Sequence, residues 1–167
     1  ETVARLRSCW YWSTFAARSE IAARGIAVTP TLRQVELFKD FAAQAGAKYP
    51  VYAATMQAMY DARRSHFQML VDSGVLLLMG TDSGGYQAHG TIVGELDLWL
   101  QWGAPAQFTI DAATWVSQRY LGYPGLVEGG PADFLILDED PRDDPTILAK
   151  PARVTVGGTS VWERPSA

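Results

Sequence analysis

The residues best suited to chemistry lie in Gly80–Gly85, which reads Gly-Thr-Asp-Ser-Gly-Gly and directly follows the apolar run Val75–Met79. A carboxylate in a glycine-rich loop just after a buried strand can reach a ligand site, where it could accept and donate a proton. Asp82 is therefore the candidate catalytic residue. On local sequence alone, a turn aspartate that bonds its own backbone is the favoured interpretation. The surrounding elements must decide between the two.

Two histidines and a serine are the other candidates. His89 lies in the same predicted loop as Asp82, so it could face the same pocket, and a solvated loop histidine is an equal alternative. His66 falls on the polar side of a predicted helix, where an exposed histidine is the stronger interpretation. Ser83 within Asp-Ser-Gly-Gly is similar to the nucleophile of chymotrypsin-like serine proteases. Those enzymes are all-β, whereas here helices flank the strand, so that hypothesis is disfavoured.

The elements around this loop alternate between helices and strands. Helices are predicted from Val3 to Arg24, between Met56 and Val71, from Ile92 to near Gly103, and from a Thr109 cap to Gly122. Strands are predicted at Ile26–Leu32 and at Val75–Met79, and the second has the continuous apolar pattern of a strand buried on both faces. This alternation predicts an α/β fold with parallel strands, in which ligands gather at the carboxyl ends.

The composition changes beyond Gly122. Phe134–Leu137 and Val154–Val156 are short β-prone runs separated by Asp, Pro and Gly. We therefore predict two domains, residues 1–122 and residues 123–167, with a small β module as the second. The acidic residues after Leu137 could suggest calcium, but Pro141 interrupts them and a solvated turn is favoured.

Composition and charge exclude several classes of function. The 167 residues are 48% hydrophobic and 19% charged, which is enough for a globular core. The net charge is −4, without a cluster of basic residues, so nucleic acid is not an expected partner. No apolar run approaches the roughly 20 residues that span a bilayer, so no membrane partner is expected. Cys9 is the single cysteine and is predicted to be a buried small hydrophobe.

Several segments, taken in order, resemble the amidohydrolase superfamily, particularly its imidazolonepropionase-like and prolidase-like branch. The resemblance runs from about Ile26 to Trp162 and rests on the order and spacing of its pieces. Those pieces are Thr29-Pro30-Thr31-Leu32, Gly74–Gly84, His89-Gly90, Glu95-Leu96, Ala113-Thr114, Leu121-Gly122, Val127–Phe134, Asp140-Pro141 and Gly157-Gly158.

The resemblance implies a fold and a reaction. It makes residues 1–122 the last strands and helices of a (β/α)8 TIM barrel, with strands seven and eight, and residues 123–167 strands of a small β-sandwich. It implies one or two divalent metal ions, usually zinc, that activate water to hydrolyse an amide or cyclic amide bond. By the same resemblance, Asp82 is a metal ligand and proton shuttle, and His89 lies near the substrate.

The sequence also departs from the family. The other metal-binding histidines of the family have no counterpart here, so the chain is expected to be a C-terminal portion that is inactive alone. Its expected partners are the missing N-terminal part of the same enzyme and a dipeptide or other small-molecule substrate. A homo-oligomer is also compatible, and the compartment stays open, with the cytoplasm favoured. The alternative is a non-catalytic α/β binding or structural module that retains the amidohydrolase sequence pattern.

Overall fold

A computed structural model describes residues 15–165 of this mixed α/β chain, which divides into two compact units between Ala104 and Pro105. In the first unit, the elements in chain order are α1 (Phe15–Ala23), β1 (Ala27–Val28), α2 (Leu32–Glu36), α3 (Phe38–Ala45), α4 (Pro50–Asp72), β2 (Leu76–Leu77) and α5 (Ile92–Gln101). In the second they are α6 (Ala106–Ala113), α7 (Trp115–Tyr120), β3 (Phe134–Ile136), β4 (Arg153–Val156) and β5 (Thr159–Glu163).

The first unit contains the predicted parallel strands. β1 and β2 pair with Ala27 opposite Leu76 and Val28 opposite Leu77, which confirms the parallel arrangement. The prediction that the second strand is buried on both faces is wrong for this chain. Leu77 is only 2% exposed, whereas its neighbour Leu76 is 36% exposed. Successive strand side chains point to opposite faces, and here only one face is covered.

One aromatic side chain from α4 and one from α5 are among the most deeply buried residues of the first unit. The ring centroids of Phe67 and Trp99 lie 5.1 Å apart, and both side chains are almost fully buried. Burial of such large apolar surfaces stabilises the packing of the two helices. Both helices were predicted from their apolar spacing. α4 begins at Pro50, which suits the first turn of a helix.

The second unit ends in an antiparallel sheet with the order β3-β4-β5. Gly157 and Gly158 join β4 to β5, and both have positive φ, which a tight connection between antiparallel strands requires. The predicted β-prone runs after residue 123 are therefore confirmed as strands. The prediction that Thr109 caps a helix is wrong: the helix begins at Ala106, and the buried Thr109 hydroxyl donates to the Pro105 carbonyl at 3.0 Å.

The sequence did not predict α2 and α3, where polar and apolar residues mix. The part of the predicted N-terminal helix that precedes residue 15 lies outside the described residues, as does Cys9. The domain boundary after residue 122 stays a prediction. Between residues 15 and 165, no helix is both long and apolar enough to cross a bilayer.

Candidate functional site

The carboxyl ends of the two parallel strands have unusual backbone conformations. Among residues 15–165, the positive-φ residues other than glycine are Thr31, at 46°, and Asp82, at 53°. Thr31 follows β1 and Asp82 follows β2. A left-handed conformation is rare for a β-branched residue and costs on the order of 1–3 kcal/mol, so surrounding contacts must stabilise it. Such residues are concentrated at functional sites.

The two strand ends also touch each other. A Cβ atom placed on Gly80 would lie only 2.7 Å from Cγ2 of Thr29. Real Cβ atoms essentially never approach another atom so closely, so glycine permits this contact between the strand ends. The loop with Asp82 therefore starts directly beside the end of β1.

Asp82 itself is exposed, and within the described residues its carboxylate has no hydrogen bond or ion pair. The residues on either side are fixed. The Ser83 hydroxyl lies 2.7 Å from the Thr81 hydroxyl and 3.0 Å from that of Thr91. A turn aspartate would use its carboxylate to bond the nearby backbone, and Asp82 does not. Its carboxylate is thus presented on a fixed loop without a structural partner in the described chain.

His89 lies in the same loop as Asp82. Its ring lies beside Gly84, where a Cβ atom would be 3.2 Å from Cε1 of His89, and the side chain is exposed. The structure thus places both predicted site residues in one loop, although their roles stay predictions. Ser83 bonds to threonine hydroxyls, which gives no support to a serine nucleophile activated by histidine.

His66 lies apart from this loop, on α4. It lines an open, largely apolar groove of about 450 Å³ beside β1 and is half-buried, whereas an exposed side chain was the favoured expectation. Burial lowers the pKa of His66, and the positive charge of Arg18 lowers it further. The structure gives it no link to Asp82.

Glu95 is the residue that sequence reasoning missed as part of the site. Its side chain is fully buried and accepts hydrogen bonds from the backbone N–H groups of Leu32 at 2.7 Å and Arg33 at 2.8 Å. The Trp99 indole N–H donates a third at 2.9 Å. Burial raises the pKa of Glu95, and the N–H donors oppose this by favouring the ionised form. The carboxylate thus satisfies the N-terminus of α2, immediately after the strained Thr31.

A second buried polar residue, Gln87, connects the two strand-end loops. Its Oε1 accepts from Nε of Arg33 at 3.0 Å, and its Nε2 donates to the Thr81 carbonyl at 3.3 Å. Its own carbonyl accepts from the Gly84 N–H at 3.0 Å. A buried glutamine normally has such partners, but the sequence around Gln87 carries no signal of them.

The described residues do not form a metal site by themselves. Between residues 15 and 165, no group of three or more His, Cys, Asp or Glu side chains is placed to hold a metal ion. The Asp82 carboxylate offers oxygen ligands of a type that zinc accepts. It can fill one position of a site only if the remaining ligands come from elsewhere.

Comparison with known proteins gives relatives without an assigned function. No protein-family model matches the chain. Uncharacterized proteins of Mycobacterium tuberculosis and Mycobacterium bovis are 37% identical to it over 134 residues. The match covers 80% of this chain but 36% of those proteins, so the chain spans little more than a third of their length.

Solved structures share the fold of this chain. A Xaa-Pro dipeptidase with bound methionine matches with a TM-score of 0.76 and 21% identity, over 92% of this chain and 38% of that one. A prolidase complexed with N-methylphosphonate-L-proline matches with a TM-score of 0.68 and 22% identity, over 90% and 38%. A putative prolidase from Bifidobacterium longum matches with a TM-score of 0.66 and 25% identity, over 82% and 35%.

These matches confirm the predicted resemblance: the chain has the fold of part of a prolidase-like amidohydrolase. It spans less than two fifths of each of the three solved structures.

Proposed function

We propose that this chain is the C-terminal portion of a metal-dependent amidohydrolase, with Asp82 as a metal ligand and proton shuttle. The observation that carries the proposal is the position of Asp82. Asp82 follows a parallel strand and has a left-handed backbone conformation, and its carboxylate has no partner in the described residues. In this proposal β1 and β2 are strands seven and eight of a (β/α)8 barrel, whose ligands gather at the carboxyl ends. Residues 123–167 are then strands of a small β-sandwich.

The proposed chemistry assigns Asp82 a proton transfer. A bound zinc ion, or a pair of ions, would lower the pKa of a water molecule so that it attacks a carbonyl at neutral pH. Asp82 would fill one ligand position, accept a proton from the attacking water and deliver it to the leaving nitrogen. The hydroxyl contacts of Ser83 with Thr81 and Thr91 fix the residues on both sides of Asp82, so its carboxylate would reach the site in a defined position.

The proposed substrate is a dipeptide, and His89 is the proposed substrate-binding residue. The names of two similar structures, a Xaa-Pro dipeptidase and a prolidase bound to a proline phosphonate, favour an amide bond before proline. His89 is exposed and returns to the loop of Asp82, so a substrate held near Asp82 would lie within its reach. Hydrolysis of a cyclic amide is the second candidate within the same reaction class.

The proposed partner is the remaining part of the same enzyme. It would supply the other metal ligands, since residues 15–165 hold no cluster of them. A non-catalytic α/β module is the competing proposal, and this same observation favours it. The two differ in whether the complete protein contains metal.

The test is hydrolysis of Xaa-Pro dipeptides by the complete protein, assayed before and after treatment with a chelator. We expect hydrolysis that the chelator abolishes and zinc restores. Chelator-resistant hydrolysis would contradict the metal-dependent reaction. Absence of both bound metal and hydrolysis of dipeptides and cyclic amides would favour the non-catalytic module.

A further inference from the structure

We infer that Glu95 is a positioning residue that fixes the Asp82 loop through a relay of Arg33 and Gln87. The relay crosses between the two strand-end loops, which lie some fifty residues apart in the sequence. The inference rests on the proposed function only where it names Asp82 as the group that benefits. The physical claim is that the buried Glu95 carboxylate controls the order of residues 80–91.

The first step of the relay is the hydrogen bonding of the Glu95 carboxylate to the start of α2. One carboxylate oxygen accepts from the Leu32 N–H and the Trp99 indole, and the other accepts from the Arg33 N–H. All three partners are donors, and a carboxylate, which has acceptor sites on both oxygens, satisfies them all. A glutamine would turn an NH₂ group toward at least one donor. Glu95 thus fixes the backbone from which the Arg33 side chain extends.

The second step is the confinement of Arg33. A Cβ atom on Gly94 would lie 2.2 Å from Nη1 of Arg33, so the guanidinium group passes directly over the backbone of Gly94. Its Nε then donates to Oε1 of Gln87 at 3.0 Å. The Arg33 side chain therefore lies between α5 and Gln87 and is confined by both.

The third step carries this constraint to Asp82. Gln87 is only 9% exposed and donates to the carbonyl of Thr81, the residue before Asp82. Its carbonyl also accepts from the Gly84 N–H, two residues after Asp82. Gln87 thus holds the loop on both sides of Asp82. It is held in turn by Arg33 and by Oε1 of Gln34, which accepts from its Nε2 at 3.1 Å.

Two substitutions in the complete protein test the relay. Glu95→Gln removes acceptor capacity at its start. Gly94→Ala adds a methyl group where the guanidinium lies, while alanine is the better residue inside a helix. Gly94→Ala should therefore leave the melting temperature unchanged or raised and still displace Arg33 from Gln87. It also decides the matter if Glu95→Gln does not fold.

The deciding measurement is hydrogen–deuterium exchange of peptides that cover residues 29–36 and 80–91. We expect exchange of the 80–91 peptide to rise at least several-fold in both variants. Ile21→Ala, a buried change in α1 outside the relay, is the control for general destabilisation and should not loosen residues 80–91 selectively. The inference is overturned if the 80–91 peptide stays as protected as in the parent in both variants, or loosens equally in Ile21→Ala.

Kinetics separate this inference from the proposed function. If Asp82 acts in the chemical step, Gly94→Ala should lower kcat on the order of 10- to 100-fold with little change in KM, because a misplaced group affects the transition state more than binding. The parent protein could hydrolyse nothing while the loop still loosens selectively in the two variants. That result would support the relay and contradict the proposed function. Selective loosening with parental kcat would support the relay as a constraint on the loop and contradict the role of Asp82.

Discussion

Asp82, in the first unit, and four aspartates of the second unit have different surroundings. In the second unit, Asp133 accepts from the Gly157 N–H at 2.6 Å, and Asp138 bonds to Arg164 at 2.6 Å. Asp140 and Asp144 likewise bond to Arg142 and Thr146. Asp82, in the first unit, has no such partner among the described residues. Carboxylates that stabilise turns and strand ends are satisfied by the fold, whereas the carboxylate of Asp82, on a fixed loop, is available for a ligand.

The buried polar groups differ in the same way. Around Asp82, the polar side chains of Glu95 and Gln87 are buried, and they form hydrogen bonds both with the backbone of the strand-end segments and with other side chains. The ion pairs of the second unit are exposed, where water and salt weaken their contribution to stability. A buried network of hydrogen bonds fixes one geometry of the loops, whereas exposed ion pairs constrain the structure little. The first unit is thus the one in which a substitution should alter function.

The largest effect is expected from separating the chain from its proposed partner. Purified residues 1–167 should hydrolyse no dipeptide and bind no stoichiometric zinc, because one carboxylate cannot replace a site with several ligands. Elemental analysis and a dipeptide assay check this, with the complete protein as the control. Zinc-dependent hydrolysis by the isolated chain would show that the site lies within it.

A large effect on stability is expected where the strand ends touch. Gly80→Ala in the complete protein places a methyl group 2.7 Å from Cγ2 of Thr29 and should destabilise by about 1–3 kcal/mol. Gly85→Ala is the matched control, since nothing lies within 4 Å of its added Cβ. Chemical denaturation of the two variants measures the difference. Equal stability would mean that the strand ends are not in contact.

A smaller effect is expected in the second unit. Asp133→Asn in the complete protein replaces a charged acceptor of the Gly157 N–H by a neutral one and should cost about 0.5–1 kcal/mol, with turnover unchanged. Asp143→Asn is the control, because its exposed carboxylate has no hydrogen bond in the described chain. A loss of turnover in Asp133→Asn without a loss of stability would mean that the second unit takes part in the chemistry, contrary to the proposal.

The smallest effect concerns pH. The hydrogen bonds from Arg142 lower the pKa of Asp140 from its ordinary 3.8 to about 2. Because the folded value is the lower one, the pair stabilises the protein above pH 3.8, and this contribution is lost as the pH falls from 3.8 toward 2. NMR titration of the Asp140 carboxyl should give a value near 2 in the parent and near 3.8 in Arg142→Ala. The same pKa in both proteins would mean that Arg142 does not stabilise the ionised Asp140.

The sequence predicts the elements better than the contacts between them. The long helices α4 and α5 and the strands β1 and β2 follow from apolar spacing and from glycine stops, which are local signals. α2 and α3 lack such a pattern, and α2 begins where the carboxylate of Glu95, sixty residues later, accepts its first N–H groups. No local rule reveals a cap supplied from so far along the chain.

The candidate site shows the same limit. The location of Asp82 and His89 in one loop could be predicted because both follow a strand in a glycine-rich segment, whereas their roles stay predictions. The relay of Glu95, Arg33 and Gln87 could not, since it depends on side chains brought together by the tertiary fold. Glu95 stood in the family pattern of the sequence, but only its complete burial gives it a physical role.

The most direct measurement compares Asp82→Asn with Asp133→Asn in the complete protein, through the turnover number and the melting temperature of each. Asparagine tolerates the left-handed conformation at position 82 but cannot accept the proton. We predict that Asp82→Asn lowers turnover about 10²–10⁴-fold at a nearly unchanged melting temperature, and that Asp133→Asn lowers only the melting temperature. Near-parental turnover in Asp82→Asn would contradict the account, because it would make Asp82 a turn residue.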